Sequence, residues 1–79
     1  MPDTVCVWLS FVDDSGFLGS ALVYPAKDTI DACLKAHELG INPGGEVQGL
    51  QMYKRPPGWP VNVLLTKKQI RKLEKKHAN

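Results

Sequence analysis

Between Val5 and Val12 this chain offers water almost nothing. Val5, Val7, Leu9 and Phe11 alternate with Cys6, Trp8, Ser10 and Val12, the period of two that marks a strand, here read as Thr4 to Val12. A half-exposed antiparallel strand carries polar groups on one of its two faces. In this one only Ser10 is polar, so both faces need cover. The chain has little material for two layers of it. At 79 residues it stands near the lower limit at which one apolar core suffices. With 43% hydrophobic and 23% charged residues it is nonetheless a globular composition, and a disordered chain is excluded.

The remaining elements follow from local signals. Asp13-Asp14-Ser15-Gly16 is turn chemistry. Phe17 to Tyr24 returns as a second strand, which Pro25 ends. A loop of those four turn residues sets Val12 opposite Phe17 and Trp8 opposite Ala21. Asp28 is an N-cap for a helix reaching about Leu39, with Asp31 in its first turn, Gly40 at the left-handed C′ position and Pro43 barring continuation. Glu46 to Tyr53 reads as a third strand, with Leu50 and Met52 on one face and Gln48 joining them. Arg55-Pro56-Pro57-Gly58-Trp59-Pro60 is a rigid connection outside any sheet. Val61 to Leu64 is either a short edge strand or an extended segment over the core. Thr66 and Gln69 form a capping box, and Leu65 and Ile70 a hydrophobic staple, so a second helix starts at Lys67 and frays at His77-Ala78-Asn79. The order is ββαβ(β)α. It defines an α+β domain over residues 1–79, with a small antiparallel sheet of three or four strands, one packed helix and a basic C-terminal helix over 66–79.

Apolar surface is in surplus. On the first helix Ile30, Cys33, Leu34, His37 and Ile41 share one side, read as the core stripe, and Ala32, Ala36 and Leu39 form a second, shallower strip. The C-terminal helix offers Ile70 and Leu73, whose burial supplies ~3–6 kcal/mol before entropy is subtracted. That helix is narrow cover for two apolar faces. A second copy of the chain is the commonest alternative, so a homodimer is expected, against a monomer whose terminal helix closes the back of the sheet. Trp59, held between prolines, suits either a contact hot spot or an intramolecular lid. Trp59, Trp8, Leu39 and Arg55 are the candidate interaction residues.

Charge is divided along the chain. From Lys54 onward eight Lys or Arg stand against Glu74 alone, whereas the residues before it carry seven acids against Lys27 and Lys35. On a helical wheel Lys67, Lys68, Arg71, Lys72, Lys75 and Lys76 fill an arc of roughly 180° opposite Ile70 and Leu73. The arc is either a solvated face, a surface tracking nucleic-acid phosphates with help from Lys54, Arg55 and a stacked Trp59, or a contact for an acidic protein surface. The solvated face is the simplest reading, because lysine dominates and only Arg71 offers a planar fork.

No catalytic constellation emerges. Cys33 and His37 lie one helical turn apart and Cys6 is on the neighbouring strand, but a fourth zinc ligand is missing and the apolar stripe argues for a packed thiol beside a hydrogen-bonded core histidine. Burial there also suppresses a reactive thiolate. Asp13 and Asp14 read as turn residues, and Asn42-Pro43-Gly44-Gly45 as a loop after a helix rather than a phosphate cradle before one. No cofactor or metal is expected. Neither a signal peptide nor a membrane span is read in the sequence, and two cysteines fit a reduced cytoplasmic protein. The expectation is a small, non-catalytic binding module that pairs with itself and with a protein partner, the alternative being nucleic-acid binding through the cationic helix.

Overall fold

A computed structural model describes residues 4–77. Its elements are β1 (Val5–Asp13), β2 (Gly16–Ala26), α1 (Thr29–Glu38), β3 (Glu46–Met52), β4 (Leu64–Leu65) and α2 (Lys67–His77). They form an α+β fold around one antiparallel sheet of order β3-β1-β2-β4. The two-faced apolar segment is therefore an interior strand, flanked by β2 and β3. Its odd-numbered side chains Val5, Val7, Leu9 and Phe11 enter the core with Ala21, Val23 and Ala26, beneath α1. Its even-numbered side chains face the other way, toward α2 and the proline-rich loop. The fraying end expected at the C-terminus falls, from Ala78 on, outside the described residues.

Two irregularities reset the hairpin register. Val12 faces Phe17 as expected, but Phe11 faces Gly19, leaving Leu18 as an extra residue on β2. This bulge moves Trp8 from Ala21, its expected partner, to Leu22. A second bulge lies between Val5, which faces Ala26, and Val7, which faces Val23. The expected end of β2 at Pro25 is not observed, because the strand runs through it to Ala26. An irregular stretch of ladder asks no N–H of that position, which is where a strand tolerates proline.

The caps of α1 are those expected, but its seat is rotated from the expected one. Asp28 Oδ1 accepts from Asp31 N at 2.8 Å. At the other end Gly40 N donates to His37 O and Ile41 N to Ala36 O, a Schellman pair that requires the positive φ of Gly40. The buried residues of α1 are Ala32 and Ala36, while Ile30 is 74% and Leu34 59% exposed. His37 is exposed as well, so it is not a core histidine, and Leu39 has left the alanine strip as the exposed C-cap. Of the wide side, Cys33 and Ile41 still pack against the edge of the core while Ile30, Leu34 and His37 face out, and the alanines lead the approach. Valine, leucine and phenylalanine already fill the sheet face, so the helix approaches on its smallest residues. At Gly49 the approach is close, since a Cβ there would overlap the Thr29 side chain. Ala36→Leu is accordingly expected to cost ~1–3 kcal/mol by overpacking. Leu34→Gln should stay within about 0.5 kcal/mol of wild type. Thermal unfolding followed by circular dichroism checks both, and an Ala36→Leu variant as stable as wild type would unseat this account of α1.

The return to the far edge depends on one side chain. Asn62, at φ 60°, accepts from Tyr24 N through Oδ1 at 3.1 Å and donates to Tyr24 O through Nδ2 at 2.9 Å. Its own N–H bonds Leu22 O at 2.7 Å. This amide stands in for a strand partner, so regular pairing is delayed to Leu64–Leu65 rather than beginning at Val61. α2 then begins with both capping-box bonds in place, Thr66 N to Gln69 Oε1 at 2.8 Å and Gln69 N to Thr66 Oγ1 at 3.2 Å. Leu65 is buried and Ile70 and Leu73 half-buried, leaving the polar side of α2 in solvent. No helix among the described residues is long and apolar enough to cross a membrane.

Candidate functional site

The sheet face opposite α1 is only partly covered. Trp8 stands level with Leu22 on one neighbour and Leu50 on the other, giving an apolar row across three strands. The next row pairs Ser10 with Ser20 and Gln48. Met52 extends this floor beside Cys6. Pro56 and Trp59 of the loop rise over the floor, as do Phe17 from the hairpin and Ile70 and Glu74 from α2. Together they bound an open groove of about 500 Å³. That volume falls within the range of about 300–1,000 Å³ typical of ligand pockets.

Trp59 belongs to this wall. Its ring meets Trp8 edge to face, with centroids 5.6 Å apart and planes at 89°, and both rings are half-buried. The prolines fix the loop, and the T-shaped contact fixes its position over β1. Trp59 acts as an intramolecular lid over part of the floor and presents the rest of its surface to the groove. Arg55 stands aside, its guanidinium 5.9 Å from the Tyr24 ring, tying the same loop to β2. Leu39 is remote from this groove and lines a smaller concavity with Pro25 and Asn62. The structure therefore unites Trp8 with Trp59 and leaves Arg55 and Leu39 elsewhere.

The polar content of the groove is small. Ser10 and Ser20 hydroxyls bond each other at 3.1 Å, which satisfies Ser20 in an otherwise buried position. Glu74 adds a carboxylate at the rim. His37 rides on α1, across the sheet from these hydroxyls, and so supplies no base to them. Cys6 and Cys33 are also on opposite sides of the sheet, both as free thiols. The three-ligand zinc arrangement is not assembled, and no metal-holding group of His, Cys, Asp or Glu occurs among the described residues. Burial pushes both thiols above the ordinary cysteine range, the Cys6 shift being partly offset by the Arg55 charge. Thiolate is correspondingly scarce at neutral pH.

The acids read as structural are held that way. Asp13 Oδ1 accepts from the Ser15 hydroxyl and from Ser15 N, the latter at 2.8 Å, and these bonds lower its pKa. Asp31 is lowered first by the bond from Lys27 N at 2.9 Å and then by Lys35, whose Nζ lies 3.3 Å away.

The six cations of α2 are all exposed, and none forms an ion pair among the described residues. Lys67 and Arg71 line a small concavity with Phe17, Ile70 and Glu74, so the cationic arc borders the groove along this side of α2. Sequence reasoning missed Phe17, Ser20, Leu22 and Glu74 as groove residues. A two-faced strand signals that its neighbours complete a second layer, but which β2 residues do so depends on the bulge at Leu18. In class this is an α+β fold whose antiparallel sheet carries a helix on one face and an apolar groove on the other. No family model, curated protein or solved structure matches the chain.

Proposed function

We propose that this chain is a non-catalytic binding module that seats an apolar segment of a protein partner in the Trp8–Trp59 groove and works as a homodimer. The groove carries the reading. Its floor and walls are mostly aromatic or aliphatic, its one hydroxyl pair is internally satisfied and its carboxylate, Glu74, stands at the rim, so it rewards burial of apolar side chains rather than polar chemistry. The loop is preorganised by proline, which lowers the entropy lost when a partner docks. Self-association follows from what remains outside the groove, namely Ile30, Leu34, Leu39, Val47 and Tyr53 in solvent.

Peptide selection from a random display library tests the binding role. Wild type is expected to enrich segments with two or three large apolar residues, and the same peptides should lose at least tenfold in affinity to Trp59→Ala. Their binding should change little between about 50 and 200 mM salt. The cationic arc of α2 supports a second reading, in which the partner is nucleic acid. That reading predicts oligonucleotide affinity that collapses over the same salt range and disappears when Lys68, Lys72 and Lys75 are replaced together. Failure to enrich apolar peptides, combined with lysine-dependent oligonucleotide binding, overturns the groove in favour of the arc.

A further inference from the structure

The two edges of the sheet are unequal. β4 closes one of them with two residues, flanked by the Asn62 clamp and α2. The other edge is β3, seven residues long, of which Glu46 to Gln51 are exposed. Natural edge strands are protected by proline, lysine, bulges or covering loops. β3 has no proline or lysine, and its ladder with β1 runs unbroken from Cys6–Met52 to Val12–Glu46. A regular strand with one free row of N–H and C=O groups is a template for another strand.

Building on the homodimer proposed above, we infer that two copies join by antiparallel pairing of β3 with β3, centred on Leu50, to make one continuous eight-stranded sheet. The register follows from self-complementarity. With Leu50 opposite its own copy, Glu46 falls opposite Lys54, and Val47 opposite Tyr53, the ladder extending two residues past β3 as the bend at Tyr53 and Lys54 straightens on pairing. The two-fold repeats both pairs, giving opposite charges at each end and the Val47–Tyr53 and Leu50–Leu50 contacts between them, with Gln48 opposite Met52 and Gly49 opposite Gln51. Tyr53 is 91% and Leu50 60% exposed in the single chain, so this contact hides the chain's most exposed aromatic ring. Centring on Gly49 instead sets Glu46 against Met52 and Tyr53 against Gly45, so it forms no opposed charge pair and no aromatic contact.

The arrangement bears on the groove. Directly opposed residues in an antiparallel pair project to the same face. The two Leu50 side chains then lie together on the Trp8 face, and the two grooves share a floor across the dyad. A longer apolar segment, or two segments side by side, fits that floor better than it fits one copy.

Sedimentation equilibrium on charge-exchanged variants tests the register. Glu46→Lys and Lys54→Glu each place like charges opposite one another twice per dimer, and each is expected to weaken dimerisation by about tenfold or more. The double variant restores the pairing and should return to within about threefold of wild type. Leu50→Lys, which sets two lysines face to face on the dyad, should yield monomer. Hydrogen exchange needs no substitution: amides of β3 should gain protection as wild-type concentration rises, while those of α1 do not change. A dimer that survives Leu50→Lys but is lost with Leu34→Lys, with protection rising on α1, overturns the edge contact and leaves a homodimer built on the helix face. A wild type that stays monomeric at millimolar concentration overturns both the edge contact and the homodimer, without touching the peptide-binding result.

Discussion

A Phe11→Ala variant is expected to lose about a quarter or more of the chain's stability. Phe11 is the largest of the fully buried side chains. Truncating a buried phenylalanine costs ~3–5 kcal/mol, the sum of lost transfer energy and the cavity left behind. A domain at roughly 0.05–0.15 kcal/mol per residue holds only about 4–12 kcal/mol over a chain of this length. At ~4–8 °C per kcal/mol, the unfolding midpoint should fall by about 12 °C or more. Phe17 is the matched control, six residues on in the same hairpin and 41% exposed at the groove rim. Phe17→Ala should cost about 1 kcal/mol or less. Urea and thermal denaturation measure both, and equal losses would mean that the two faces of the sheet are not divided into core and groove as described.

What could be read from the chain before its structure is uneven, and the division has a physical basis. Caps and turns are local: Asp28, Gly40, Thr66 and Gln69 act within four residues of their own position, so their bonds appear where the sequence places them. The unusual pattern of β1 is also local, and it correctly demands cover on two sides. The seat of α1 is not local. Hydrophobicity favours the Ile30–Leu34 side, yet the sheet beneath is already filled by Val7, Leu9, Phe11 and Val23, and shape selects Ala32 and Ala36. That choice depends on volumes contributed by three other segments. The bulges at Leu18 and Tyr24-Pro25 leave no periodic trace either, the first shifting which residue stands beside Trp8 and the second the partner of Val5.

The same limit applies to the candidate site. Trp59 was conspicuous because prolines frame it, and Trp8 because it sits on the wrong side of an apolar strand. Their meeting joins residues far apart in the chain, through a loop whose path is set by Asn62 and Arg55. No spacing rule encodes such a contact. The cationic arc was legible in full, since a wheel needs only the helix start that the capping box supplies.

Trp8→Ala and Trp59→Ala should be coupled rather than additive. Trp8 sits in the middle of the floor, paired with Leu22 and Leu50, and its truncation is expected to cost near the lower end of ~3–5 kcal/mol because the ring is half-buried. Trp59 is held by its loop as well as by Trp8, so its loss should cost ~1–2 kcal/mol. The edge-to-face contact is worth ~0.5–1.5 kcal/mol beyond area, and the double variant should be less destabilised than the sum by that amount. These are the only two tryptophans in the chain, so near-ultraviolet circular dichroism reports directly on their contact, and either single substitution should abolish the paired-ring signal. Strict additivity would show that the loop keeps its place without Trp8. The groove wall would then be free to move, its preorganisation would be lost as an argument, and binding through it would have to bear the full entropy of ordering the loop.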